Sequence, residues 1–242
     1  MRLKIDLKAK NNFKVPFNYN HILSSIIYSK IKDSNLADEL HSLNSYKFFN
    51  FSQLDIPKRK VVNDGIISRN GVISFYLSSP DDLLVENLVN GFVDDMEVRF
   101  GREKMAVTKI EALKAPQFSE KSEFKTLSPI IVRDTQEING KLKRVDLAPC
   151  DKFFKGVEAN LVKKYCKYNG LESTDKEISV YSEMAHVKRK RIMIPKGPNT
   201  TYHRAYMMDL ILEGNKDLID FAYDVGLGEK NSMGFGMIYS CC

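Results

Sequence analysis

A tyrosine, a histidine and a lysine in the first 47 residues carry side chains suited to proton transfer and charge stabilisation. His41 lies in Glu39-Leu40-His41-Ser42-Leu43-Asn44-Ser45-Tyr46-Lys47, with Lys47 six residues beyond it. A free imidazole titrates near pH 6.5, which makes it the easiest proton shuttle at neutral pH. Tyr28 sits in a helical pattern whose apolar stripe is Ile22, Leu23, Ile26, Ile27 and Ile31, and it projects off that stripe. Ser24 and His21 share its side at four- and seven-residue spacing. Each residue also has an ordinary reading. A histidine near a helix C-terminus satisfies a carbonyl or the dipole, and a polar-faced tyrosine can simply be exposed. Together, however, the three supply a group that takes a proton from a hydroxyl, a group that protonates a leaving oxygen, and a cation for the charged transition state. His21 is a reserve for the proton-transfer role.

Other chemistries find no motif. There is no HExxH, no DxDxDG loop and no dense carboxylate cluster, so no metal site is expected. Asp81-Asp82 and Asp94-Asp95 read as a helix cap and a turn. The GxSxG nucleophile elbow is absent. The four cysteines, Cys150, Cys166, Cys241 and Cys242, form no C-x-x-C pair. That argues against zinc or a disulfide framework and for a reducing cytoplasm.

The elements that must position these groups follow from periodicity. Residues 1–8 alternate apolar and charged, as a strand and unlike a signal peptide. Helices are expected over 20–32 and 35–43, and strands over 48–54 and 71–78, with a polar stretch holding Pro57 and Gly65 between those strands. A helix opened by Asp81 and Asp82 runs to residue 92, and 96–113 form a strand hairpin. Residues 114–122 read as a linker. The order then repeats. It runs through a strand over 124–132, a turn at Gly140, a helix over 152–168 stopped by Asn169-Gly170, and a strand over 178–187. A broken strand over 191–213, a helix over 218–225 capped by Asn215 or Asp217, and a strand over 235–239 complete it. The expected fold is α+β, two tandem ferredoxin-like β-α-β-β-α-β modules at residues 1–116 and 117–242. Hydrophobic content of 43% supports real cores, and no apolar run is long enough to span a membrane.

Charge points to a polyanion. The net charge is +6. Residues 184–208 hold no Asp or Glu, yet carry Lys188, Arg189, Lys190, Arg191, Lys196 and Arg204 among His186, Tyr202, His203 and Tyr206. Basic side chains interleaved with aromatics suit phosphates and stacked bases, although a solvated hairpin face would have the same pattern. Near the C-terminus, Gly226-Leu227-Gly228-Glu229-Lys230-Asn231-Ser232-Met233-Gly234-Phe235-Gly236 places four glycines in eleven residues. Its N–H groups and Lys230 would suit phosphate. Phosphate loops of nucleotide-binding proteins follow a strand and open a helix. This loop closes a helix and opens a strand, and it lacks GK[ST] and GxGxxG. A nucleotide cofactor is disfavoured, no cofactor is expected, and RNA becomes the partner to test. The tyrosine, histidine and lysine set then matches what metal-independent RNA cleavage requires at a ribose 2′-hydroxyl.

The glycine stretch, set between the last helix and last strand, resembles the C-terminal signature of the CRISPR-associated repeat-cleaving endoribonucleases, within the repeat-associated mysterious protein superfamily. The likeness extends over most of the chain. It includes Lys14-Val-Pro16 followed by Ile26-Ile-Tyr28, His41 through Lys47 before Phe48-Phe-Asn-Phe-Ser52, and Thr126-Leu-Ser-Pro-Ile130. The resemblance implies a metal-independent cut within each repeat of precursor CRISPR RNA, leaving a 5′-hydroxyl and a 2′,3′-cyclic phosphate. It implies Tyr28 as base at the 2′-hydroxyl, His41 as acid and Lys47 as transition-state cation; physical chemistry leaves the order of the Tyr28 and His41 roles open. Expected RNA contacts are Lys188, Arg189, Lys190, Arg191, Lys196 and Arg204, with Gly226, Gly228, Lys230, Asn231, Ser232, Gly234 and Gly236. The expected partners are repeat RNA, as precursor or mature guide, and a CRISPR effector complex, for a monomer or homodimer in the cytoplasm. Some family members bind RNA without cutting it, which gives the alternative of a non-catalytic RNA-binding subunit. A generic double-RRM binder is weakened by the missing RNP1 pattern.

Overall fold

The alternating residues at the N-terminus form β1 (Arg2–Ala9), with Leu3, Ile5, Leu7 and Ala9 on its buried side. The computed structural model describes residues 1–33, 46–196 and 199–240. The expected helix over 35–43, His41, Gly197, Pro198, Cys241 and Cys242 lie outside the described residues, and Lys196 and Asn199 are described by backbone alone.

In chain order the first half continues with β2 (Phe13–Val15), α1 (Asn20–Ser29), β3 (Asn50–Phe51), β4 (Arg59–Val62), β5 (Gly65–Ser68) and β6 (Val72–Ser78). It ends with α2 (Asp82–Asp94), β7 (Glu97–Phe100) and β8 (Glu103–Leu113). Five strands form one sheet in the order β3-β6-β1-β8-β7, and every pair is antiparallel. Leu23 and Ile27 of α1 and Leu84, Val85, Leu88 and Phe92 of α2 cover its apolar face. The Asp81 carboxylate accepts the Leu84 N–H at 3.1 Å, the N-cap that the sequence leads one to expect. The two helices touch closely at Gly91, where a Cβ would collide with the Lys30 carbonyl.

The second half comprises β9 (Lys121–Thr126), β10 (Arg133–Ile138), β11 (Lys141–Asp146), α3 (Asp151–Tyr168), β12 (Ile178–Tyr181), β13 (Lys188–Lys196), β14 (Asn199–Met207), β15 (Asp209–Gly214), α4 (Lys216–Val225) and β16 (Ile238–Ser240). Its sheet runs β12-β15-β9-β16, again antiparallel. Phe153, Val157 and Leu161 of α3 pack with Leu218, Ile219 and Ala222 of α4 against this sheet. Asn215 caps α4 by accepting the Asp217 N–H at 3.0 Å. β10 and β11 form a hairpin turned at Asn139-Gly140, both with positive φ, and β13 and β14 form a second hairpin. The chain is thus mixed α/β, with four helices and antiparallel sheets among the described residues. None of those helices is long and apolar enough to cross a membrane.

Several expected strands are shorter than their sequence pattern. The strand expected over 48–54 reduces to β3, because the Gln53 N–H turns to Leu127 O in the other half at 2.9 Å. The strand expected over 124–132 ends at Thr126, where the Leu127 N–H instead meets Met237 O at 2.7 Å. The strand expected over 178–187 stops at Tyr181, ahead of Met184, whose φ of 62° breaks extended backbone. The broken strand over 191–213 is three strands, β13, β14 and β15. The polar stretch around Gly65 instead builds a small sheet, β2-β5-β4.

Polar side chains fasten the halves together. The Arg2 guanidinium, buried under β1, donates to Ile238 O at 2.9 Å and Tyr223 O at 2.6 Å, and lies 3.5 Å from the Tyr223 ring centre. Asn50 Nδ2 and Ser78 Oγ both donate to Asp224 O, at 2.7 and 2.8 Å.

Candidate functional site

Helix α1 turns its apolar stripe into the first core and offers a polar stripe, Asn20, Ser24 and Tyr28, to the glycine loop. Asn20 Nδ2 donates to Met233 O at 3.0 Å and Gly234 O at 3.3 Å. Ser24 Oγ donates to Ser232 O at 3.0 Å. One turn on, the Tyr28 hydroxyl faces the Ser232 side chain. The Tyr28 ring is half-buried, edge-on to Phe49 with centroids 5.6 Å apart. Burial raises its phenol above the ordinary value, and the neighbouring Ser232 side chain offsets part of that.

The loop holds its shape through buried contacts. Gly226, Gly228, Gly234 and Gly236 are all buried and all have positive φ. At Gly234 (φ 81°) a Cβ would press into the Phe51 ring and come within 2.7 Å of Asn20 Nδ2, so this position requires glycine for both conformation and space. The Asn231 amide donates to Leu227 O at 3.1 Å and Phe235 O at 3.0 Å, drawing the loop closed. Beneath it lies Lys164 of α3. Its ammonium donates to Gly226 O at 2.5 Å, Asn231 Oδ1 at 3.1 Å and Gly228 O at 3.3 Å. Lys164 is 3% exposed, and burial pushes its pKa down to about 7.

The outer side of the loop borders a groove of about 520 Å³ between the halves. Lys47, Arg133, Arg144, Lys163 and Lys230 line it, with Tyr46 and Ser232. Burial lowers the Lys47 ammonium below its usual range. Glu229 is the acid on the groove wall. Its carboxylate accepts from Arg133 Nε at 2.9 Å and from Arg144 at 3.0 Å, so it is spent in orienting the two guanidiniums. Lys230 holds a left-handed φ of 60°. Ser232 therefore joins Tyr28 on one side to the groove bearing Lys47 on the other.

The β13–β14 hairpin presents exposed Lys188, Arg189, Lys190, Arg191 and Arg204. Arg191 faces Arg204 across the ladder, and its guanidinium lies 4.3 Å from the Tyr202 ring centre. Like charges placed directly opposite destabilise a hairpin by themselves and favour an anionic partner. Ile192, Ile194 and Ala205, on the hairpin face opposite Arg191 and Arg204, pack on Phe235 of the loop. The side chain of Lys196 is not among those described.

The remaining histidines take separate positions. His21 is half-buried, and burial lowers its imidazole below the usual range. His203 is buried, 3.5 Å from Asp146 Oδ1; burial, then Lys230, lower it. His186 is exposed, 3.5 Å from Asp209. Among the described residues no three His, Cys, Asp or Glu side chains form a metal-holding group.

The sequence reading missed Arg133, Arg144, Lys163 and Lys164. Lys164 had a readable signal, because it continues the Phe153, Val157, Leu161 stripe into the core. The arginines had none, since exposed strand charges are ordinary.

Comparisons with known proteins cover nearly the whole chain. Residues 14–111 match the family described as CRISPR-associated protein Cas6, N-terminal, and residues 113–239 match CRISPR associated protein Cas6, C-terminal. The chain is 37% identical to CRISPR-associated endoribonuclease Cas6 1 of Methanocaldococcus jannaschii, over 98% of this chain and 92% of the relative. It is 36% identical to CRISPR-associated endoribonuclease Cas6 of Pyrococcus furiosus, over 93% and 83%. Among solved structures, one titled CRISPR associated protein Cas6 superposes with a TM-score of 0.86 at 36% identity, over 100% of this chain and 99% of that one. Another, titled an RAMP protein binding different RNA substrates, gives 0.89 at 27%, over 100% of both. With both halves matched in order and relatives this similar over this much of its length, the chain belongs to the Cas6 family of CRISPR-associated proteins.

Proposed function

We propose that the protein is a metal-independent endoribonuclease that binds CRISPR repeat RNA and cuts precursor CRISPR RNA within each repeat. The observation that carries this reading is the meeting of Tyr28 and Ser232 beside the basic groove bearing Lys47. The two close relatives named as endoribonucleases support it. We read the architecture as two ferredoxin-like modules, 1–116 and 117–242. Supporting this, both sheets place the first strand of the series between the third and the last, with the second strand at the edge.

The reaction is attack of a ribose 2′-oxygen on the adjacent phosphorus, expelling the 5′-oxygen. It leaves a 2′,3′-cyclic phosphate and a 5′-hydroxyl. Lys47 neutralises charge on the phosphorus centre. Tyr28, raised by burial, keeps its proton at neutral pH and so orients the attacking hydroxyl. His41 is the group suited to move a proton between the attacking 2′-oxygen and the departing 5′-oxygen. Lys188, Arg189, Lys190, Arg191, Lys196 and Arg204 track the RNA backbone along the hairpin, with Arg133, Arg144, Lys163 and Lys230 along the groove. Gly226, Gly228, Gly234, Gly236 and Asn231 serve RNA by holding the loop in shape, and Ser232 links that loop to Tyr28. The protein works in the cytoplasm, as monomer or homodimer, and hands its product to a CRISPR effector complex.

The test is incubation of purified protein with a repeat from the same genome, in EDTA, followed by identification of the RNA ends. A single cut with 5′-hydroxyl and cyclic phosphate ends is expected. Strict dependence on Mg²⁺ contradicts the chemistry. Tight binding without any cut gives the non-catalytic reading. That alternative is favoured by a 29% identical relative from Pyrococcus horikoshii named as a putative endoribonuclease-like protein.

A further inference from the structure

Lys164 lies at the floor of the basic groove, buried, with its ammonium turned into the glycine loop. A lysine on the core-facing stripe of a helix is costly unless its ammonium is satisfied. Here it is satisfied by the glycine loop: two loop carbonyls, Gly226 O and Gly228 O, and the Asn231 side-chain oxygen. None of these three acceptors is a carboxylate. Glu229, the acid that acts on it from the loop, is held by Arg133 and Arg144. The same Asn231 uses its amide nitrogen to tie Leu227 O to Phe235 O. Lys164 and Asn231 therefore fix both ends of the segment that carries Lys230 and Ser232. Ser232 in turn accepts the Ser24 hydroxyl of α1 through its carbonyl and faces Tyr28 on the same helix with its side chain. The chain of contacts runs from α3 of the second half through the loop to α1 of the first.

We infer that Lys164 is a positioning residue for RNA cleavage, acting through the glycine loop to set Ser232 against Tyr28 without touching RNA. The inference rests on the endoribonuclease reading above. Its mechanism is geometric: removing the ammonium frees Gly226 O and Gly228 O, the loop relaxes, and the Tyr28 hydroxyl loses its fixed direction. A displacement near 1 Å in such a support costs roughly 10²-fold in rate.

The experiment compares wild type, Lys164→Gln and Lys164→Met, each checked for folding by thermal melting. Single-turnover cleavage at saturating repeat RNA is measured beside RNA affinity and the ¹⁹F signal of 3-fluorotyrosine at position 28. Expected are a cleavage rate lowered roughly 10²-fold in Lys164→Met, a smaller loss in Lys164→Gln, which keeps two donors, near-wild-type affinity and a shifted ¹⁹F signal. Combining Lys164→Gln with Ser232→Ala is expected to cost little beyond Ser232→Ala alone, because both act through one contact. Folded variants with wild-type rate and an unmoved ¹⁹F signal overturn the inference, as does a loss confined to affinity. Should neither variant fold, the wild-type ¹⁹F signal is followed beside the Lys164 Nζ resonance as that amine titrates. A Tyr28 signal indifferent to the Lys164 midpoint then overturns it. Wild-type protein that binds but never cuts refutes the endoribonuclease reading instead, and the ¹⁹F comparison still tests the link from Lys164 to Tyr28.

Discussion

The Tyr28 hydroxyl, on a helix of the first half, faces the Ser232 side chain, on the glycine loop of the second. The two halves thereby share one site, and the loop supports the tyrosine as well as bordering the groove. Ser24 and Asn20 hold the same segment one and two turns earlier on α1.

Ser232→Ala is expected to lower single-turnover cleavage by roughly tenfold to 10²-fold, with RNA affinity little changed, since it removes the hydroxyl that faces Tyr28 and no phosphate contact. Tyr28→Phe is expected to cost at least as much. Rate measurement at saturating RNA checks both. A Ser232→Ala variant cutting at wild-type rate removes the loop from the active site.

Gly234→Ala is expected to destabilise the fold by at least about 1–3 kcal/mol, because L-residues disfavour its φ of 81° and the added methyl meets Phe51. Denaturant unfolding measures this. An unchanged midpoint contradicts the packing described for the loop.

Stability is expected to rise with pH between about 7 and 10.5 through Lys164. Its folded pKa is depressed by burial, so in that window the unfolded chain holds the extra proton and unfolding becomes harder as pH increases. Lys164→Met lacks this contribution. Denaturation of the two proteins across the window isolates it; parallel profiles contradict the buried ammonium.

Neutralising Lys188, Arg189, Lys190 and Arg191 is expected to weaken repeat-RNA binding and flatten its salt dependence. On a single strand the slope falls by roughly 0.7 for each phosphate that the hairpin no longer neutralises. Affinity measured over a salt series decides it. An unchanged slope returns the hairpin to a solvated face.

Local signals are enough for the helices. The apolar stripe of α1, the Asp81 cap of α2, and the Asn215 cap of α4 are each readable from a few neighbouring residues. Strand lengths are not, because Gln53 and Leu127 spend their N–H groups on distant partners. The small sheet around Gly65 escapes because Arg59 and Lys60 look like loop residues. Tyr28 is legible as a departure from its stripe, whereas its place beside Ser232 depends on how two distant segments pack. Lys164 breaks a core pattern in plain sight; the glycine loop explains why. The glycines suggest a phosphate cradle, and their burial shows that each also has a packing reason.

The central claim, cleavage by proton transfer without metal, is tested most directly by His41→Ala in EDTA, with single-turnover cleavage and repeat-RNA binding measured on the same preparation. The account predicts a rate lowered about 10²- to 10⁴-fold while binding persists. Undiminished cleavage by that variant would contradict it.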